Sequence, residues 1–318
     1  MEIVNDILTM AYYPFLDHLS YAHFEKWQDE VKAPSERKLT STVITRLPQS
    51  ITEKNRMDLF KLRAARLGKD ELCGVDSTSI STYGINLVDI RWGRNKEHLP
   101  LRQTVEVVVY SMTSHQPIYY RELPGNMPDS RMTEMILTEL EHAGFRNLVL
   151  IIDRGYESMK NLESYISKTL GVDLTPLEAM DTYGMRNEQE KCFALQKGLM
   201  FQDRLRVWSE ASKHGRMFIC FVGLILASYI RNVVKDNKEL KDAYPSTESL
   251  MAEFRTIRCI EHNDRRKFIT PFVGAQVDIC KAFGFTIPEH CAPEYVSKKT
   301  PDKGRGRKPK PKTETQTY

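Results

Sequence analysis

The stretch ELCGVDSTSISTYG, residues 71–84, decides how this chain folds, because it is the first part of the sequence with strand character. Residues 1 to about 70 lack strand alternation, and the stretches around 15–32 and 52–68 are predicted to be helical, joined by a looser segment. Downstream, TVEVVVYS (104–111) predicts a second strand and HQPIYYREL (115–123) a third, with a short polar turn between them. Three strands in succession favour an antiparallel meander.

Helices and a further strand are predicted after the meander. Asp129 or Ser130 can cap a helix that runs to about His142, and the apolar run NLVLIID (147–153) is typical of a strand buried in a mixed or parallel sheet. Ser158 can cap a second helix to about residue 168. The order strand, strand, strand, helix, strand, helix is that of a ribonuclease-H-like fold. We therefore predict an α/β protein with a mixed sheet flanked by helices.

Composition and charge suggest how the chain is organised. With 318 residues, 41% hydrophobic and 28% charged, it is predicted to be soluble and globular. The predicted regions are an N-terminal helical region (1–70), a ribonuclease-H-like domain (71–235), a C-terminal helical region (236–296) and a basic disordered tail (297–318). The tail has eight Lys or Arg and two Asp or Glu, a net charge of +6. Such a tail favours a polyanionic partner, although a solubilising role stays open.

The cysteines and the apolar segments indicate a cytoplasmic protein. The six cysteines show no CxxC pair, so a zinc site is not expected and a reducing compartment is the simpler prediction. The first residues, MEIVND, do not resemble a signal peptide. The longest apolar run, Met217 to Ile230, is shorter than the ~20 residues that a membrane span needs. We read it as a core helix and expect no membrane partner.

Three carboxylates stand out as candidate metal ligands. Asp76 lies within the first strand, and Asp153 is the last residue of the apolar strand, where active clefts of such sheets form. Glu190 belongs to a predicted helix, Tyr183–Lys197, in which Tyr183, Arg186, Glu190 and Lys197 follow one another at offsets of 3, 7 and 14. At about 100° per residue these four side chains share one helical stripe. Carboxylates beside cations suit a divalent metal next to phosphates.

Ordinary structural roles remain open for each of these residues. An Asp at a strand end is more often a cap or a salt-bridge partner, and the helical stripe could be a solvated face with pairs such as Arg186 and Glu190. Glu178 is a weaker alternative third carboxylate, whereas Glu188 points about 160° away from Glu190 on the same helix. For the two tryptophans Trp92 and Trp208, packing in the core or at an edge is favoured over stacking on flipped bases.

Taken together, the motifs resemble a known family. The spacing Tyr-(2)-Arg-(3)-Glu-(6)-Lys, the GVDSTSIS strand, GRNKEHLPLRQ, LPGNMPDS, IIDRGYES and GRMFICFVGLIL occur in the order found in DDE transposases of bacterial insertion sequences. The resemblance covers roughly residues 71–235, so the predicted domain would be a ribonuclease-H-like DDE catalytic domain.

This resemblance implies a function and a set of site residues. Asp76, Asp153 and Glu190 would be the catalytic residues and would bind two Mg²⁺ or Mn²⁺ ions for DNA cleavage and strand transfer. Tyr183, Arg186 and Lys197 would bind DNA. The implied partners are double-stranded DNA, both transposon terminal repeats and target DNA, and a second copy of the chain in a homodimer on DNA. The implied location is the cytoplasm of a bacterium, associated with the nucleoid.

One departure from the family pattern leaves a second function open. Asp153 and Glu190 are only 37 residues apart, so the β-rich insertion domain that many members carry between these positions is expected to be missing. The chain could be a compact transposase or an internally deleted, inactive remnant that only binds DNA or a full-length partner. A ribonuclease-H-like nuclease that cuts without strand transfer is a third reading.

Overall fold

The computed structural model describes residues 2–16, 20–68, 71–84, 86–93, 101–127, 129–146, 148–152, 204–261 and 267–287. The chain divides into two compact units, Met1–Met251 and Ala252–Tyr318. The described α-helices of the first unit up to residue 236 are α1 (Glu2–Leu16), α2 (Phe24–Glu30), α3 (Ser41–Ser50), α4 (Glu53–Ala64), α5 (Asp129–His142) and α6 (Glu210–Asp236). Its described strands are β1 (Glu71–Thr82), β2 (Arg102–Ser111), β3 (Gln116–Pro124), β4 (Leu148–Ile152) and β5 (Arg204–Leu205).

A mixed sheet forms the centre of the first unit. Its described strands lie in the order β3-β2-β1-β4, and β2 is antiparallel to both of its neighbours. β4 runs parallel to the first half of β1, and the short β5 runs parallel to its last two residues. The predicted meander and the mixed sheet are therefore confirmed, and each predicted bound of β1 to β4 lies within two residues of the observed one.

Helices cover the sheet as the apolar pattern predicts. α5 spans the predicted residues, and its Met132, Ile136 and Leu140 are buried in the sheet core. α6 includes the predicted apolar helix and packs against α1, α3 and β3. By length and composition alone α6 could cross a membrane, but more than half of its apolar window is buried inside the protein.

The N-terminal region contains helices where the sequence did not predict them. α1 begins at Glu2, and α3 occupies most of the segment that was predicted to be loose. α3 forms because tertiary packing outweighs its polar composition: Leu47 and Pro48 are buried, and α3 lies against α6. At this contact a Cβ added to Gly215 would lie 1.8 Å from the carbonyl oxygen of Pro48. Only glycine allows so close an approach.

A second apolar cluster stabilises the N-terminal helices. The ring centroid of Tyr13 lies 5.1 Å from that of Phe24 and 5.0 Å from that of Trp27, in edge-to-face arrangements that aromatic pairs prefer. Ile219 of α6 belongs to the same cluster. The cluster therefore attaches α1 and α2 to the helix that also covers the sheet.

The second unit combines a small antiparallel sheet with a helix. β6 (Cys259–Glu261) pairs with β7 (Lys267–Ile269), and the helix Ala275–Ala282 follows. The amide of Gln276 donates hydrogen bonds to the Glu253 carbonyl at 2.9 Å and to the Thr256 hydroxyl at 2.6 Å. Within the region 236–296, predicted to be helical, the described residues thus also form a β-hairpin.

Candidate active site

Asp76 lies at the junction between β1 and β4. It is half-buried in β1, and its Oδ1 accepts a hydrogen bond from the Ser77 amide at 2.7 Å. In the parallel ladder the residue before it, Val75, pairs with Ile152, the last residue of β4. Asp76 therefore lies beside the carboxyl end of β4.

The other predicted site residues lie outside the described part of the chain. These residues are Asp153, Glu190, Tyr183, Arg186 and Lys197. Among the described residues no group of three or more His, Cys, Asp and Glu side chains could hold a metal ion. Of the three predicted metal ligands, only Asp76 falls within the described residues.

The sheet face that carries Asp76 has further carboxylates on it. Residues alternate between the two faces of a strand, so Thr78 shares the face of Asp76, and Thr78 pairs with Glu106 on β2. Glu106 in turn pairs with Glu122 on β3, and both glutamates are almost fully buried. A row of two buried carboxylates therefore runs along this face from β2 to β3.

A buried ion cluster connects this row of carboxylates to α6. The ammonium of Lys213 is fully buried and lies 2.7 Å from Glu210, 3.1 Å from Asp89 and 3.7 Å from Glu122. Burial by itself lowers the pKa of Lys213, but the hydrogen bond to Glu210 and the charges of the other two carboxylates outweigh it, so the pKa is raised. The cluster ties the first turn of α6 to β3 and to the loop that holds Asp89.

His214 extends the ion cluster towards a cleft. Its Nδ1 lies 2.9 Å from Oε2 of Glu122, and its Nε2 lies 3.5 Å from Glu210. The cleft beside it has a volume of about 720 Å³ and includes Arg56 and Tyr120 in its lining. Burial, followed by the charge of Glu122, raises the pKa of Tyr120 well above its ordinary value, so this phenol stays neutral. Because the lysine ammonium already lies among the cluster's carboxylates, the cluster is not a metal site.

Sequence reasoning missed this cluster, although one local signal was present. Glu210 and Lys213 stand three residues apart in the first turn of α6, which is the spacing of an intrahelical ion pair. The contributions of Asp89 and Glu122 come from distant parts of the chain and follow only from the fold.

The two tryptophans do not pack in the core, which was one of the two places predicted for them. Trp92 is 62% and Trp208 is 70% exposed. Cys73 on β1 is buried, and burial, with a smaller effect of Glu71, raises the pKa of its thiol. A thiol in this state behaves as a small apolar group.

The central segment of the chain is similar to a known domain family. A family model described as the transposase DDE domain matches residues 68–191. None of the curated proteins matches the chain. Two solved structures are similar to it, a Mos1 transposase paired-end complex with left transposon end and a Mos1 mariner paired-end complex with Mn.

The structural similarity is weak. Both structures share 12% identity with the chain, cover 65% of it and 69% of their own length, and give TM-scores of 0.24 and 0.23. At such scores they carry no argument about fold or mechanism. The family match, in contrast, includes Asp76, Asp153 and Glu190 within its bounds. The segment from residue 68 to residue 191 is therefore similar to the DDE domain of transposases, and this match supports a DDE transposase.

Proposed function

We propose that the chain is a DNA transposase of an insertion sequence, which cleaves transposon ends and transfers strands by phosphoryl transfer. The observation that carries the proposal is the family match over residues 68–191, which includes all three predicted carboxylates. The ladder between β1 and β4 supports it. Val75 pairs with Ile152, so continuing the register by one residue would place Asp153 opposite Asp76.

The residues fit a divalent metal site in their chemistry. Asp76 and Asp153 would supply hard carboxylate oxygens, and Glu190 would supply a third from the signature segment. When bound, Mg²⁺ or Mn²⁺ ions would activate an attacking oxygen and stabilise the leaving one. We propose a ribonuclease-H-like arrangement of these residues, without the insertion domain that many members of the group carry.

The basic and phenolic residues of the signature segment would hold the DNA. Arg186 can grip a phosphate with two parallel hydrogen bonds, and Lys197 can act as a point charge. Tyr183 would contribute a hydroxyl to the same phosphates. Their role is to fix the scissile linkage against the carboxylates, because a displacement of about 1 Å can cost roughly 100-fold in rate. Two copies of the chain would bring two transposon ends together.

A nicking assay tests this function. The substrate is a supercoiled plasmid that carries the gene with its flanking DNA, incubated with Mg²⁺ or Mn²⁺. We expect nicking by the native chain and a loss of at least about 100-fold with Asp76→Asn, Asp153→Ala or Glu190→Gln. Asp58→Asn is the matched control, since Asp58 forms an exposed pair with Lys54. Full nicking by Asp153→Ala would overturn the proposal.

The short spacing between Asp153 and Glu190 is the reason for a second candidate function. A chain that lacks the insertion could bind DNA without cutting it, as a remnant or an inhibitor of a full-length partner. This function predicts DNA retention in a mobility-shift assay and no nicking at any metal concentration. A product joined to a supplied 3′-hydroxyl end would separate a transposase from a nuclease that only cuts.

A further inference from the structure

Exposed apolar and aromatic side chains occur on the segments that flank the end of β1. We call this surface the β1 rim and define it by Tyr83, Val88, Trp92 and Trp208. Their exposed fractions are 60%, 66%, 62% and 70%. Single exposed apolar residues are common on proteins, but several large ones on neighbouring segments favour an interaction surface.

The backbone under the β1 rim is held firmly. A Cβ at Gly84 would lie 3.2 Å from the Val207 carbonyl oxygen, and a Cβ at Gly93 would lie 2.0 Å from that of Gly125. Arg91 exchanges two backbone hydrogen bonds with Gln103, at 3.0 and 2.9 Å. These contacts fix the segment on both sides of Trp92, so its exposure does not come from a loosely attached loop.

Strand pairing gives the layout of the β1 rim. Arg102 of β2 pairs with Thr82 of β1, and Thr82 pairs with Leu205 of β5, three residues before Trp208. On the other side of β2, the Arg91–Gln103 bridge places Trp92 next to Arg102, whose guanidinium lies 5.9 Å from the indole ring. With strands about 4.8 Å apart, the segments that carry the two tryptophans are roughly 14 Å apart.

The exposed charge at the β1 rim is positive. Arg102 and Arg206 are exposed on the segments that carry the aromatic residues, and within the described part of the chain no carboxylate pairs with either of them. Arg91 is exposed as well, but its guanidinium donates hydrogen bonds to the carbonyl oxygens of Val88 and Ile90. The nearby acids Asp89 and Glu210 are bound to the buried Lys213. The side chains of Arg102 and Arg206 can therefore attract an anion.

We propose that the β1 rim binds an unpaired DNA strand, with bases stacked on Trp92 and Trp208 and phosphates held by Arg102 and Arg206. Aromatic rings interleaved with cations are the combination that binds single-stranded nucleic acid. Base-paired DNA hides the ring faces that such stacking needs, so a frayed or unpaired segment fits better than a closed duplex. The choice of DNA rests on the proposed function, whereas the stacking geometry does not.

The β1 rim lies close enough to the candidate active site for one DNA strand to contact both. Asp76 and Thr82 are six residues apart on the same strand, which corresponds to roughly 20 Å along β1. A DNA strand that is cut at Asp76 could therefore extend to the β1 rim over a few nucleotides.

Fluorescence anisotropy of the full chain tests this surface. The probes are a fluorescein-labelled mixed-sequence single strand and the same strand annealed to its complement, both in EDTA so that no metal chemistry contributes. We expect tighter binding of the single strand, and a loss of about 10-fold for each of Trp92→Ala and Trp208→Ala. Trp92→Phe and Trp208→Phe keep an aromatic face and should retain most of the affinity.

One control variant and two further measurements test whether the strand binds at the β1 rim. Leu62→Ala removes another exposed apolar side chain, 63% exposed on α4, and should leave binding unchanged. Arg102→Ala should weaken binding and reduce its salt dependence, since fewer counterions are released. Tryptophan emission gives an independent signal: Trp27 is buried and should stay constant, whereas Trp92 and Trp208 should be quenched by stacked bases.

Two outcomes would overturn the inference. The first is wild-type affinity for the single strand in the double variant Trp92→Ala with Trp208→Ala. The second is a change of oligomeric state in light scattering without any change in strand binding, which would indicate a protein partner. Failure of the proposed function would appear separately, as a native chain that does not nick the plasmid DNA but still binds the single strand at the β1 rim.

Discussion

At the scale of single residues, Lys213 is the shared partner of three carboxylates that the fold brings together. Asp89, Glu122 and Glu210 converge on its buried ammonium, and Glu122 continues the row of carboxylates on the face of Asp76. Removing one partner of a buried pair leaves an uncompensated charge, which costs about 3–5 kcal/mol. Lys213 is therefore the residue whose loss should most disturb the sheet face next to the candidate site.

We expect Lys213→Met to lower the free energy of unfolding by about 3–5 kcal/mol in urea denaturation at neutral pH. The control is Lys38→Met, because Lys38 forms an exposed pair with Asp29 that is worth at most about 1 kcal/mol. Equal effects of the two substitutions would contradict a buried cluster.

The pH dependence of stability follows from the raised pKa of Lys213. The stabilisation is complete below the ordinary value of 10.5 and is lost as the pH rises through the higher pKa of the folded state. The native chain should therefore lose stability in this alkaline range, and Lys213→Met should lose less there. Urea midpoints measured from neutral to strongly alkaline pH check this, and parallel curves for the two proteins would refute it.

At the scale of elements, the contact between α3 and α6 depends on one glycine. Helix propensity alone predicts that Gly215→Ala stabilises α6 by about 1 kcal/mol. The added Cβ would, however, overlap the Pro48 carbonyl, and overpacking of this kind costs about 1–3 kcal/mol or more. We expect a net destabilisation of about 2 kcal/mol in urea denaturation. A gain in stability would show that α3 does not approach α6 so closely.

The strands and the core helices could be predicted because their composition is visible within a single segment. β2 is rich in valine and β3 contains Ile118, Tyr119 and Tyr120, residue types that favour strands, while α6 carries a long apolar run that is more than half buried inside the protein. α3 could not be predicted, because its polar composition and Pro48 argue against a helix and only the surface of α6 reverses this. Trp92 and Trp208 were predicted to pack because aromatic rings supply large apolar surfaces for core and edge contacts, and their exposure follows only from the fold.

Only part of the candidate site could be predicted from the sequence. Asp76 follows from strand position, and the parallel pairing of β4 with β1 supports the expectation for Asp153. The ion cluster around Lys213 could not be predicted, since its members come from β3, a loop and α6. The signature residues from Tyr183 to Lys197 stay a prediction from their spacing.

At the scale of the whole molecule, the net positive charge is concentrated in the last 22 residues. The chain has a net charge of +4, and residues 297–318 contribute +6, which leaves −2 for the remainder. Removing residues 297–318 should weaken nonspecific binding to duplex DNA and flatten its dependence on salt, by about 0.9 in logarithmic slope for each phosphate that the tail would otherwise neutralise. Replacing its lysines and arginines by glutamine should have the same effect, and an unchanged slope in either variant would mean that the tail does not touch DNA.

The shared carboxylate site is tested most directly by a titration of the full chain with Mn²⁺, followed by electron paramagnetic resonance of the free ion. We expect uptake of two ions per chain, and at least about 10-fold weaker uptake with Asp76→Asn, Asp153→Asn or Glu190→Gln. Asp58→Asn should bind Mn²⁺ as the native chain does. No uptake, or uptake that none of the three substitutions changes, would contradict a shared carboxylate site.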